Sequence, residues 1–168
     1  MNISMYQASV PVFIRQLNNL SGILAKATVY AENKKIDPTV LLQSRLYPDM
    51  FPLVRQVQIT SDTAKAGAAR LASMAIPSFE DNEKTFQELQ ERIAKTVKFL
   101  QTITPSQIDG SEERKIVYTQ HGHDRNFIGL SYLLNYVLPN VYFHITTSYA
   151  ILRHNGLDIG KKDYLGQL

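Results

Sequence analysis

The stretch ISMYQASVPVFIRQLNNLSGILAKATVYAENK, residues 3–34, decides the fold class. Its apolar residues Ile3, Tyr6, Val10, Phe13, Leu17, Leu20, Leu24, Ala27 and Ala31 recur in steps of three and four. At about 3.6 residues per turn, such spacing lines one side of a helix that packs within a bundle. Pro11 interrupts the stripe. It lacks a backbone N–H and crowds the carbonyl four residues earlier, so a kink or a late helix start is expected there. Asn33-Lys34-Lys35 makes a solvated end, and Asp37-Pro38 reads as an N-cap with proline opening a short turn through Leu42.

Working outward, three further stripes repeat the pattern. Met50, Val54, Val57, Ser61, Ala64, Ala68, Leu71 and Ala75 mark a second helix, with Asp49 as its expected cap and Pro52 in its first turn. Its middle is small (Ser61, Ala64, Gly67, Ala68), which suits either close helix approach or a cavity. Phe86, Leu89, Ile93, Val97, Leu100 and Ile103 mark a third, starting near Asp81 or Asn82 and stopping before Pro105. Leu130, Leu134, Val137, Val141, His144, Ser148 and Ile151 mark a fourth, bent or restarted by Pro139 and ended at Asn155-Gly156. The expected spans are about 3–34, 50–76, 82–104 and 130–155. Between the third and fourth helices, residues 115–119 and 126–128 read as strands of a small hairpin. The tail from Leu157 to Leu168 is expected to fold back over the helices. The fold class is therefore all-α: one domain, an antiparallel four-helix bundle with a β-hairpin inserted before the last helix.

Composition narrows the function. The 168 residues are 44% hydrophobic and 20% charged, a globular balance. There is no cysteine, which excludes disulfides, thiolate metal sites and cysteine nucleophiles. The net charge of +3, from 18 basic and 15 acidic residues, is too small and dispersed for a nucleic-acid surface. No apolar run approaches the roughly 18 residues of a membrane span. The N-terminal segment has no basic region followed by an apolar stretch, so a cytoplasmic protein is expected. The chain has no G-x-S-x-G, Walker, G-x-G-x-x-G or H-E-x-x-H motif.

The chemistry-bearing residues gather on two helices. His144 lies on the fourth stripe with Asn140, Thr147 and Ser148 at helical spacing. An unpaired buried polar group costs about 1–3 kcal/mol, so a metal, a ligand or a neighbouring helix must satisfy this patch. The second helix offers Ser61 on its stripe and a polar row of Arg55, Gln58, Asp62 and Lys65 beside it. If those helices are neighbours, His144 and Asp62 can meet in a central polar pocket. The alternative is a core histidine bonded to a neighbour, with the charged row solvated. In His121-Gly122-His123-Asp124, residues two apart share a strand face, so both imidazoles suit one metal; the same residues also spell a turn. His154 in the last helical turn suits dipole capping.

Two regions carry a resemblance. Arg45-Leu46-Tyr47-Pro48-Asp49-Met50-Phe51-Pro52-Leu53 with Arg55-Gln56-Val57-Gln58 form the first. Phe143-His144-Ile145-Thr146-Thr147 and Ile151-Leu152-Arg153-His154-Asn155-Gly156, running into Gly160-Lys161-Lys162-Asp163-Tyr164-Leu165-Gly166, form the second. They resemble a bacterial domain-of-unknown-function family grouped with the DinB/YfiT-like superfamily of metalloenzymes. The resemblance implies a four-helix bundle with a long crossover and a homodimer. It also implies relatives that use a divalent metal in thiol transfer or hydrolysis of small molecules. In that superfamily the metal takes one histidine from the second helix and an H-x-x-x-H pair from a later one. Here residues 51–76 contain no histidine and Ser148 stands four residues after His144, leaving His144, with Asp62 as a substitute. Two functions follow: a small-molecule enzyme with a degenerate or absent metal site, or a non-catalytic module for ligand binding or dimerisation.

Overall fold

The computed structural model describes residues 3–120 and 122–167 and is mostly helical. Its long helices are α1 (Val10–Lys34), α3 (Leu53–Leu71), α4 (Phe86–Leu100) and α7 (Leu138–His154). Short helices α2 (Pro38–Leu42), α5 (Pro105–Ile108), α6 (Gly129–Tyr132) and α8 (Lys161–Leu165) join or cap them. Helix α1 packs on α4 and α7, and α3 packs on the same two. Strands β1 (Lys115–Gln120) and β2 (His123–Ile128) form one antiparallel hairpin, pairing Ile116 with Phe127 and Tyr118 with Arg125. No helix among the described residues is long and apolar enough to cross a membrane.

Each helix begins where its capping chemistry allows. Pro11 sits in the first turn of α1, whose stripe is buried from Val10 to Ala31, so the helix starts late and Ile3 stays exposed. Asp37 accepts a 2.9 Å hydrogen bond from the Thr39 N–H and opens α2 as expected. Asp49 does not cap α3; Pro52 occupies that position with extended backbone, and the Leu53 N–H donates to Ser44 O at 2.9 Å. The helix ends at Leu71 rather than near 76. Ser73 turns left-handed (φ 53), and the Ser73 and Met74 N–H groups close on Arg70 O and Ala69 O. Helix α4 starts at Phe86 behind a Thr85 cap, not at Asp81 or Asn82. Thr85 and Glu88 form a reciprocal capping box, which leaves Asp81 free for the ion pairs described below.

The fourth stripe needs correction. Leu133–Val137 is a π-helical turn between α6 and α7. Pro139 supplies no N–H to the preceding turn, and one extra residue in that turn accommodates it. The insertion shifts the phase of the buried face before α7, while Val141, Ser148 and Ile151 keep the expected stripe within it. Tyr132, Leu133, Val137, Val141, Ile145, Ser148 and Leu152 are buried, whereas Leu130 and Leu134 are exposed. His144 lies at the flank of that stripe, half-buried beside the buried Ile145. The tail does fold back. Leu157 and Ile159 are buried, and α8 lies on α1 through Arg15 to Leu165 O and Asn19 to Tyr164 O.

Candidate functional site

The α3–α7 seam holds His144. Its Nδ1 lies 2.7 Å from Oε1 of Gln56, and the Gln56 Nε2 donates to Phe51 O at 3.0 Å. A backbone carbonyl only accepts, so the Gln56 amide must turn its NH2 to Phe51 and its C=O to His144. That carbonyl also only accepts, so Nδ1 carries the proton and Nε2 carries the lone pair. Among the described residues Nε2 has no hydrogen-bond partner. Burial lowers the His144 pKa from its ordinary 6.5, and the nearby Arg55 guanidinium lowers it further. The ring is half-buried, and the exposed Phe143 meets it edge-on at 5.2 Å. The result is a neutral imidazole with a fixed tautomer at the edge of a seam.

The other expected pocket residues do not join it. Ser148 is buried and donates to the carbonyl of His144, one turn back on its own helix, at 2.8 Å. Ser61 faces α4, where it shares a 2.7 Å hydrogen bond with Thr96. Asp62 does not bond His144; its Oδ1 lies 2.8 Å from Arg92 Nη2 and 3.0 Å from Lys65 Nζ. Arg55 pairs with Asp81 and donates to Gln58 Oε1 at 3.1 Å, and Gln58 donates to Glu83 Oε2 at 2.9 Å. His123 is exposed on the hairpin, paired with Gln120, and His121 lies outside the described residues.

The polar row of α3 therefore belongs to a second centre, organised by Arg92 of α4. The Arg92 side chain is only 1% exposed and meets Asp62, Asp81, Glu83 and the carbonyl of Glu80. Burial pulls its pKa down; Glu83, Asp62 and Asp81 more than reverse that, and the net shift is upward. Lys65 sits 3.8 Å above the Phe79 ring. Three cations (Arg55, Lys65, Arg92) meet three carboxylates (Asp62, Asp81, Glu83), so the network is neutral as a unit. It ties the 77–85 connection to α3 and α4. Sequence reading missed Arg92 and Gln56. Arg92 stands at the three-step between Leu89 and Thr96, where an inward position was legible. Gln56 stands beside the apolar stripe and had no such signal.

Helices α1, α3, α4 and α7 around one core, a two-stranded hairpin and a half-exposed histidine on the α3–α7 seam define the class: a helical protein with an appended hairpin. Residues 5–165 match the family described as Domain of unknown function (DUF1993). The chain belongs to that family, a domain of unknown function within the DinB-like superfamily. It is similar to the crystal structure of a DinB family member protein from Shewanella denitrificans. The two share 43% sequence identity with a TM-score of 0.89, over 97% of this chain and 92% of that one. No curated protein matches the chain.

A divalent metal is what the superfamily implies, and the donors present do not fit one. Among the described residues no three His, Cys, Asp or Glu side chains converge as a metal-binding group. On the seam, His144 is joined by an amide and by a serine hydroxyl turned into its own helix. Asp62 is committed to two cations elsewhere. An imidazole with an amide is a weak donor set for a divalent transition metal.

Proposed function

We propose that this chain is a DinB-like antiparallel four-helix bundle that recognises a small polar molecule at His144 without a resident metal. One observation carries the reading. The side chain of α3 that meets His144 is the Gln56 amide, whereas the resemblance implies a metal-sharing histidine from that helix. The amide replaces that metal bridge with a hydrogen bond, holds the imidazole in one tautomer and leaves its Nε2 lone pair outward. A neutral imidazole with its Nε2 lone pair outward accepts a hydrogen bond from a bound hydroxyl or N–H group near neutral pH.

Long-range proton–nitrogen spectra of the imidazole test this directly. They should report Nδ1–H with an unprotonated Nε2, persisting below pH 6.5. The same ring signals should move when small alcohols and amides are screened against the protein. An Nε2–H tautomer, or ring signals unmoved by every member of the screen, would contradict the reading.

A second reading concerns assembly. Leu130, Leu134, Tyr142 and Phe143 leave apolar surface exposed along α6–α7. Covering that stripe by its own two-fold copy is the commonest solution for such a surface and favours a homodimer.

A further inference from the structure

At the far end of α3 from Gln56, Arg70 ends a row with Asp62, Thr63 and Ala66 that lines a cleft of about 240 Å³. Tyr118 of β1, with Tyr132 and Tyr136 of the helix that follows the hairpin, makes the opposite wall. The arrangement is built from two distant segments, and its parts are mutually fixed. The Arg70 guanidinium stacks 3.8 Å from the Tyr118 ring centre, and its Nη1 donates to the Tyr132 hydroxyl at 2.9 Å. The Tyr132 and Tyr136 rings are stacked, with centres 5.8 Å apart. The Tyr136 hydroxyl donates to Gln120 Oε1 at 3.0 Å.

Several features exceed what holding a hairpin in place requires. Arg70 makes no ion pair among the described residues, and the neighbouring carboxylates Asp62, Asp81 and Glu83 are matched to Arg55, Lys65 and Arg92. Its remaining N–H donors have no partner among the described residues. The Tyr118 hydroxyl oxygen is buried without a hydrogen-bond partner. Burial pushes that hydroxyl up in pKa, so it stays protonated and remains a donor. The cleft wall also contains the π-helical turn that sets Tyr136, and such turns recur at functional sites.

We infer that this cleft binds a small organic carboxylate with a flat apolar body. The guanidinium fork donates to a carboxylate in its own plane, and the half-buried Tyr136, backed by the buried Tyr132, takes an aromatic or alicyclic ring. A phosphate dianion suits the cleft less well. It would meet one uncompensated cation, and Asp62 lies along the same wall. The site is separate from the His144 seam and does not depend on its reading.

Calorimetric titration of the full chain with benzoate tests the assignment, with benzamide as the neutral control and inorganic phosphate as competitor. Benzoate should bind saturably, benzamide should bind at least tenfold more weakly, and phosphate should not displace benzoate. Arg70→Gln should weaken benzoate at least tenfold. Ala66→Leu should do the same by filling the cleft while leaving Arg70 and its stack intact. It carries the test alone if Arg70→Gln does not fold. No saturable benzoate binding below about 10 mM, unchanged affinity in either folded variant, or displacement by phosphate at equal concentration would each overturn the assignment.

Discussion

Arg92 and Arg55 pair with the same carboxylate, Asp81, yet their surroundings give them different weight. Arg92 is 1% exposed and shares Glu83, itself 8% exposed, with the Gln58 amide. Removing it leaves charged oxygens without a partner. Arg92→Met should therefore cost about 3–5 kcal/mol in urea unfolding. Arg55 and Asp81 are each 37% exposed, and Arg55→Met should cost less than about 1 kcal/mol. A similar loss for both would show that the network is not organised by Arg92. His144 makes a different prediction. Its folded pKa is held below 6.5, so the folded chain binds fewer protons than the unfolded chain as pH falls below that value. Its contribution to stability is full above 6.5 and is lost as pH falls through the depressed folded value. His144→Gln should flatten the stability profile in that window. A wild-type profile with the same slope as the variant would contradict it. At this scale the sequence pointed to His144 but not to its partner. Periodicity assigns faces, and the side chain that reaches across a seam depends on the phase of two helices at once.

The elements show where local sequence rules sufficed and where they failed. Caps that rest on one short motif were legible, as with Asp37-Pro38. The α3 and α4 starts were not, since several polar residues compete for each cap and only the Thr85–Glu88 box satisfies two N–H groups together. Val141, Ser148 and Ile151 of α7 are buried as the stripe predicts, but the run leading into α7 is out of phase. A stripe counted through Pro139 does not include the extra residue of the π-helical turn, so Leu130 and Leu134 were expected inside and lie outside. That turn also presses Val137 onto Gly67. A Cβ at residue 67 would stand 2.5 Å from Val137 Cγ1, whereas one at Gly22 in α1 would meet nothing within 4 Å. Gly67→Ala should destabilise the protein by about 1–3 kcal/mol through overpacking. Gly22→Ala should stabilise it by about 0.4–1 kcal/mol through lower unfolded-state entropy. Thermal melts of the two variants should move in opposite directions. A shared direction would mean that the approach of α3 to the π-helical turn is looser than described.

Across the whole molecule, four stripes with short apolar steps were enough to establish a mostly helical chain, and the β-branched run 115–119 was enough to place a hairpin. What the stripes could not supply was association between copies, or the separation of the expected polar pocket into two centres. The exposed Leu130, Leu134, Tyr142 and Phe143 side chains, the last 57% exposed, favour a homodimer. Sedimentation at micromolar concentration should then give a species of twice 19.1 kDa, and a single 19.1 kDa species would exclude that assembly. The central proposal is that the Gln56–His144 hydrogen bond takes the part of the metal that the resemblance implies. Calorimetric titration with zinc tests it most directly, comparing the wild type with His144→Ala. The account predicts that the two titrations coincide, with only weak surface binding in each. A one-to-one micromolar site present in the wild type and absent in His144→Ala would contradict it.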